Sequence, residues 1–495
     1  MAKSYRPWAP AQSFLLPPSP MEWLPEEHLA YFVLEVVEEL VIGEIESVLQ
    51  SKDHRGERAY PPRMMVALLL YAYSTGTFSS RKIARETYDD VAFRVIASGA
   101  HPHFTTVNQF RLEHRNALAG LFKQILELCQ KAGLVKLGHI AIDGSKVKAN
   151  ASKHKAMSHD RMQSTDEKLT KEIEALLAHA DDVDAAEDVL HGVGKDIEDL
   201  PAELQRREGR RAKIQEARAA LEQEAAEARA EELRAQADAH RKTAADPDLP
   251  ERQRQTAATL AEKRDGQADE IADERFDSPP DRDDDLPRHQ PPTETNGEPT
   301  PEAQRNFTDS DSRIMVRDGA FVQAYNVQIA VDDAHQIIVA EAVSNQAPDA
   351  EHLAPMLTRV AENCGAVPDH FTLDAGYCSE TNIRAVEHFG SEPFIAVNRQ
   401  RRGSEAALTL LSPVREAMRA LLVTPRGRQI YSRRKCTVEP VFGQIFAARG
   451  FRQFLLRGLR KVRFEWTFLS LTHNLLKLFR ARHRQLGQAE AATAE

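Results

Sequence analysis

Two short apolar runs that each stop at an aspartate constrain this chain more than any other feature. His139-Ile140-Ala141-Ile142 leads into Asp143 and Gly144, and Phe371-Thr372-Leu373 leads into Asp374 and Ala375. Apolar runs of this length, closed by a glycine or a turn, read as buried strands. A carboxylate at the end of such a strand is poorly solvated, and other carboxylates repel it unless a cation joins them. A third acid, Glu439, lies in Lys435-Cys436-Thr437-Val438-Glu439-Pro440, just after a basic tract. Three such groups converging make an oxygen-rich site suited to Mg²⁺ or Mn²⁺.

The pattern around these acids is that of an α/β layer fold. Strands are expected at Gly138–Val147, Phe321–Val331, Gln336–Ser344, Phe371–Asp374 and Pro393–Val397, with helices at Leu353–Asn363 and Ser379–Phe389. The Asp332-Asp333-Ala334-His335 turn makes the second and third strands a hairpin. The order β, β, β, α, β, α, β, then helices gives a mixed sheet flanked by helices. Asp143 is expected to end the first strand and Asp374 the fourth. Glu439 is expected in the first turn of a helix capped by Thr437, where Pro440 is tolerated.

Before the sheet, residues 26–134 read as an all-helical domain, with apolar residues at three- and four-residue steps. Pro61-Pro62, Ser79-Ser80 and Thr105-Thr106 mark helix starts. Arg81, Lys82, Arg85, Arg111 and Arg115 on these short helices suit docking on DNA in helix-turn-helix fashion, or else form a solvated face. His101 and His103 have no third ligand nearby and do not read as a metal site.

The formal net charge of −10 argues against nucleic acid, but the average misleads. Between Arg399 and Arg484 there are roughly twenty Lys/Arg against about four Asp/Glu, a dense basic footprint. From Lys155 to Glu298 the balance reverses, with an acidic excess on the order of fifteen charges. Residues 155–307 therefore read as an acidic helical insertion, long solvated helices or a loose coiled coil, since most of its apolar positions are alanine. Its end, residues 276–306, is polar and proline-rich, hence linker or disordered. Residues 1–25 read as an extended segment and 485–495 as a tail. The scattered cysteines (Cys129, Cys364, Cys378, Cys436) suggest no disulfide framework and fit a reducing cytosol. The longest apolar run, Met64–Tyr73, is too short to span a bilayer, so no membrane partner is expected.

The three acidic motifs, in this order and on these elements, resemble the catalytic signature of DDE transposases from bacterial insertion sequences. The likeness extends to Ala141-Ile142-Asp143-Gly144-Ser145 with Asn150 and Ser152, to Asp311-Ser312-Arg313 with Met315, and to Tyr325-Asn326-Val327-Gln328. It includes Asp374-Ala375-Gly376-Tyr377, Val438 to Gln444, and His473-Asn474-Leu475-Leu476-Lys477. The resemblance implies a ribonuclease H-like catalytic domain split into residues 135–154 and 308–484. It implies cytoplasmic, nucleoid-associated action, as a homodimer, on the double-stranded DNA of element ends and target. Asp143, Asp374 and Glu439 would be catalytic metal ligands for two Mg²⁺ or Mn²⁺ ions about 3.5–4 Å apart. Asp143 would bridge the ions. Water would cut at a transposon end, and the freed 3′-hydroxyl would attack target DNA. Tyr431, Arg433, Arg434, Lys435, Arg449, Arg452, Asn326 and Gln328 are the candidate DNA contacts. Two departures stand out: Tyr431 and Arg434 lie one residue further from Glu439 than the related spacing, and Phe446 stands where a lysine is usual. A ribonuclease H-like nuclease without strand transfer would use the same triad, and a decayed copy would keep only DNA binding.

Overall fold

The computed structural model describes residues 22–51, 59–191, 202–275, 285–397 and 412–494. Most of the segment expected to be extended, and residues 276–284 of the expected linker, lie outside the described residues.

Among the described residues, seven helices come first: α1 (Leu29–Glu39), α2 (Gly43–Gln50), α3 (Pro62–Ser74), α4 (Ser80–Asp89), α5 (Val91–Ile96), α6 (Phe104–Glu113) and α7 (Arg115–Lys131). Pro62 opens α3 in the first turn, where its missing N–H breaks no helical bond. From Met65 to Ser74 every residue of α3 is buried, so this helix is surrounded rather than lying on a surface. α6 starts one residue earlier than Thr105-Thr106 suggests. Its cap is His103, whose Nδ1 accepts the Thr105 N–H at 3.4 Å.

The sheet follows as β1 (His139–Lys148), β4 (Arg313–Arg317), β5 (Ala320–Asp332), β6 (Ile337–Ser344), β7 (His370–Leu373) and β8 (Glu392–Ile395), with β2 (Ala156–Ser158) and β3 (Gln304–Asn306) forming a separate ribbon. The main sheet runs β4-β5-β1-β7-β8, and β6 also pairs with β5. The β5–β6 hairpin is antiparallel, as its turn predicts. β1 is antiparallel to β5 but parallel to β7, and β7 is parallel to β8. The protein is thus α/β with a mixed sheet. From Ala324 to Asp332 β5 is buried at every position, the pattern of a strand covered on both faces.

α11 (Leu353–Cys364) and α12 (Glu380–His388) alternate with the last strands, and α13 (Pro413–Val423), α14 (Pro425–Thr437), α15 (Glu439–Gly443) and α16 (Leu459–Ala494) complete the chain. Thr437 does not cap the Glu439 helix. It ends α14, with its hydroxyl on the Arg433 carbonyl at 2.8 Å. A π-helical turn, Gln444–Ala448, continues α15.

α16 packs against α7, α3 and β6, which explains the His473-Asn474 motif. Asn474 accepts the Ile338 N–H at 2.9 Å and donates to its carbonyl at 2.8 Å. His473 reaches the Gln336 carbonyl at 2.8 Å. Together they satisfy backbone groups of β6 that would otherwise be an open sheet edge. One apolar core runs without a break from α1 and α3 through α16 into the sheet.

The insertion consists of α8 (His159–His191), α9 (Ala202–Ala245) and α10 (Glu251–Arg275), with α9 packed between the other two. Its apolar contacts are thin, as the alanine-rich composition predicts: small clusters around Met162, Leu169 and Ile214, and around Ala230, Leu233 and Ala268. β2 and β3 bring its two ends together. Glu224 of α9 pins it to the sheet through Arg313 at 2.8 Å and through Arg305. Within the expected linker, residues 285–289 lie against the core. Leu286 is buried, the His289 N–H donates to Asn345 Oδ1 at 2.9 Å, and Arg359 meets Asp285 at 3.2 Å.

Candidate active site

Asp143 sits in the middle of β1, not at its end. The Asp-Gly-Ser sequence looks like a turn, but β5 keeps pairing with β1 as far as Lys148. The parallel partner β7 stops earlier, its pairing ending at Ala141↔Thr372. Asp143 therefore lies just past the point where β1 loses one neighbour, and Asp374 follows the last residue of β7. Both aspartates open into the crevice at the carboxyl end of the parallel pair, the usual place for ligand chemistry in α/β sheets.

Each aspartate is held by its own backbone. Asp143 Oδ1 accepts the Gly144 N–H at 3.0 Å, and Asp374 Oδ1 accepts the Gly376 N–H at 2.8 Å. Burial pushes the Asp143 carboxyl up to about 6, against the pull of the Arg434 guanidinium and with a further push from Asp374. Arg434 Nη2 is 2.8 Å from Asp143 Oδ1, and both side chains are largely shielded. Tyr431, one turn earlier on α14, is half-buried. Its hydroxyl is raised by burial, then drawn down by Arg434 and pushed up by Asp374 and Asp143. α14 thus delivers two of the expected residues to the aspartates.

A fourth acid, absent from the sequence reading, completes the crevice. Asp349 Oδ1 accepts from Lys146 Nζ at 2.8 Å, Asn326 Nδ2 at 2.8 Å and Gln328 Nε2 at 2.9 Å. Burial raises its proton affinity, but the Lys146 ammonium and the two amides outweigh it, so the carboxyl stays below its usual range. Gln328 Oε1 in turn accepts the Tyr377 hydroxyl. The network joins β1, β5 and the Asp374 turn. It also explains two glycines. A Cβ on Gly144 would fall 2.8 Å from Asp349 Oδ1, and one on Gly376 would fall 2.9 Å from Asp374 Oδ1. Asp349→Asn keeps an acceptor but leaves the Lys146 ammonium without its counter-charge. The expected cost is about 1–3 kcal/mol, read as a lower urea midpoint with an unchanged slope.

Glu439 stands apart. It is exposed at the start of α15, and among the described residues no three acidic, histidine or cysteine side chains lie close enough to hold a metal ion together. Asp143 and Asp374 lie near each other with Asp349 beside them, and Glu439 is not gathered into this group. Phe446 stacks on Phe442 at 5.4 Å between ring centres and lies beside Trp466, so it supports the Glu439 segment from within.

The expected DNA contacts divide. Lys435 and Arg452 are exposed. Arg433 is exposed too and meets Asp333 at 3.2 Å. Arg449 is buried: its guanidinium donates to the Leu469 carbonyl at 3.2 Å and Thr472 Oγ1 at 2.8 Å. Asn326 and Gln328 are fully buried and donate to Asp349. In the N-terminal helices Arg111 is buried on Tyr73, Phe78 and Asn108, and Arg85 pairs with Asp89. Arg81 lies over the Phe104 ring and lines, with Ser79, Thr105, Arg457 and Lys461, a cleft between these helices and the loop before α16.

Comparison with known families decides the wider assignment. Residues 18–113 match a transposase domain family, and residues 396–479 match a transposase DDE domain family. Both matches support an insertion-sequence DDE transposase. The DDE match covers Glu439, α14 and most of α16, whereas Asp143 and Asp374 lie outside both matched segments. No curated protein and no solved structure matches this chain significantly. Among the described residues no helix is long and apolar enough to cross a membrane.

Proposed function

We propose that this transposase binds the ends of its element as double-stranded DNA, cuts them in a metal-dependent reaction, and joins them to a target. The observation that carries the reading is the facing pair Asp143 and Asp374, flanked by Arg434 and Tyr431 from the segment matched to a DDE domain. The mixed sheet, with an antiparallel hairpin on one side of β1 and two parallel strands on the other, supports a ribonuclease H-like core split into residues 135–154 and 308–484. Residues 26–134 would form the helical DNA-binding part, residues 155–307 the insertion and residues 485–495 a tail. Two copies would act together, because two ends must be held at once. Action would be in the cytoplasm at the nucleoid.

The pocket suits a hard divalent cation as a partial ligand set. Its donors are carboxylate oxygens, the choice of Mg²⁺ or Mn²⁺, and it already draws in one cation, the Arg434 guanidinium. Asp143 and Asp374 would hold the ions, and Glu439 would join them when DNA closes α15 onto the crevice. Bound there, the ions would supply an activated nucleophile and charge neutralisation for the leaving oxygen. Arg434 keeps Asp143 oriented until then and is freed to face a phosphate. Lys435, Arg433 and Arg452, on the exposed side, would hold the DNA backbone, a salt-sensitive and sequence-independent contribution.

The test is incubation of the protein with DNA carrying the sequences that flank its gene, with Mg²⁺ or with EDTA. Cuts at the element ends, lost in EDTA, followed by joined products, are the expected result. Cuts without joining would reduce the activity to a nuclease, and binding without cuts under any divalent ion would refute the catalytic assignment.

A further inference from the structure

We propose that the root of the helical insertion is a second binding site for duplex DNA, recognised through its phosphate backbone. The proposal rests on the DNA-transposase reading above. A cleft of about 640 Å³ opens where the chain leaves β1 and enters α8 and α9. Six of its lining residues are basic (His154, Lys155, Arg161, Arg206, Arg210 and Lys213), and no acidic side chain lines it. This reverses the composition of a segment that is acidic overall.

The reversal is built into α9. Arg206, Arg210 and Lys213 recur at steps of four and three, so they share one face of the helix. All three are exposed. The neighbouring arginines face α8 or their own helix and are neutralised there: Arg207 by Glu172 at 3.1 Å, Arg211 by Asp166 at 3.0 Å, Arg218 by Glu222 at 3.0 Å. Glu172, Asp166 and Glu222 are thus engaged in holding the insertion together, while none of the six basic cleft residues has an ion-pair partner among the described residues. The six come from three separate stretches, the turn before β2, the start of α8 and the start of α9, so folding has gathered them. A concave surface of one sign concentrates field lines and attracts a polyanion.

Position favours DNA as that polyanion. Lys155 follows Asp143 by twelve residues, a reach of at most about 40 Å even for extended chain. One turn of duplex spans about 34–36 Å. A duplex cut at the aspartates can therefore lay its flank in the cleft within roughly one turn, and the insertion becomes a clamp on that flank.

The experiment measures binding of the full-length protein to a duplex of random sequence across a salt series. It compares wild type with Arg206→Ala/Arg210→Ala/Lys213→Ala. Alanine preserves an exposed helix, and thermal melting checks that it has. A matched control, Lys242→Ala/Arg252→Ala/Lys263→Ala, removes the same charge from exposed positions elsewhere on the insertion. The expected result is a weakening of about tenfold or more near physiological salt. The slope of log K against log salt should fall by about two to three, close to one per lost phosphate contact. The control should keep the wild-type slope. Equal slopes for wild type and the cleft variant would overturn the proposal while leaving the DNA reading intact. Equal losses in variant and control would reduce the cleft to general electrostatics and overturn it as well. Failure of the wild type to bind duplex at all would remove the DNA reading itself. A variant that keeps duplex binding but loses single-stranded RNA would reassign the cleft to RNA.

Discussion

Asp374→Asn and Asp143→Asn should each lower metal-dependent cleavage at the element ends by at least about 10³-fold, without loss of fold. Removing one carboxylate from the proposed metal site forfeits several kcal/mol of charge stabilisation in the transition state, and each 1.36 kcal/mol is a factor of ten. The two variants should part company in stability. The folded protein raises Asp143 from the usual carboxylate value to about 6, chiefly by burial. The native state therefore holds this proton more tightly than the unfolded chain does. Its stabilising contribution is full below about pH 4 and is lost as pH rises to about 6, a swing of at most about 3 kcal/mol. An amide in place of this carboxyl cannot titrate, so urea midpoints of Asp143→Asn should vary less over this window and should equal or exceed wild type at pH 8. Mg²⁺ should raise the wild-type midpoint, by about 2.7 kcal/mol at a hundredfold excess over Kd, and leave both variants unmoved. Cleavage that survives either substitution, or Mg²⁺ stabilisation that persists in both, would dismiss the aspartates as metal ligands.

Trp466→Ala should be the most damaging single change to the fold. The side chain is fully buried, its Nε1–H donates to the Gln328 carbonyl at 3.3 Å, and its ring lies against Phe442 and Phe446. It joins α16 to the central strand and to the helix that carries Glu439. Loss of a buried tryptophan costs about 3–5 kcal/mol, which for a chain of this size lowers Tm by roughly 3–5 °C. Cleavage measured well below the new melting point should also fall, because Phe442 and Phe446 lose the surface that holds the Glu439 segment. A variant that melts within about 2 °C of wild type would deny Trp466 this role.

What could be read beforehand follows the range of the interactions. The β5–β6 hairpin was legible because alternation and turn residues are local, and α3 because Pro62 and a long apolar run mark it. The parallel pairing of β1 with β7 joins residues more than two hundred positions apart, and nothing local encodes it. That pairing, by stopping at Ala141, is what opens the space beside Asp143, so a strand end inferred from Asp-Gly proved to be a strand middle. Asp349 escaped notice for a related reason. In Asn345-Gln346-Ala347-Pro348-Asp349 it looks like a loop residue ahead of a helix, and its three donors come from β1 and β5. Arg449 misled in the opposite direction. Its place in a basic tract suggested a free cation, but the α16 backbone and Thr472 accept its hydrogen bonds.

The position of α16 bears on how such a chain can change by descent. Its residues wall both the N-terminal helices and the sheet, with the Cys129 thiol resting on the Asn474 carbonyl at 3.8 Å and Asn474 itself bonded to β6. The helices matched as a transposase domain are thus not a cassette that relatives can trade freely. A recombinant that imports them without the last helix brings in a surface shaped for another wall, and must repair it by compensating substitutions in α3, α7 or α16. The insertion has the opposite character, because both its ends close in one small ribbon. Variation among relatives should therefore be abrupt in the insertion and coordinated between the two ends of the chain.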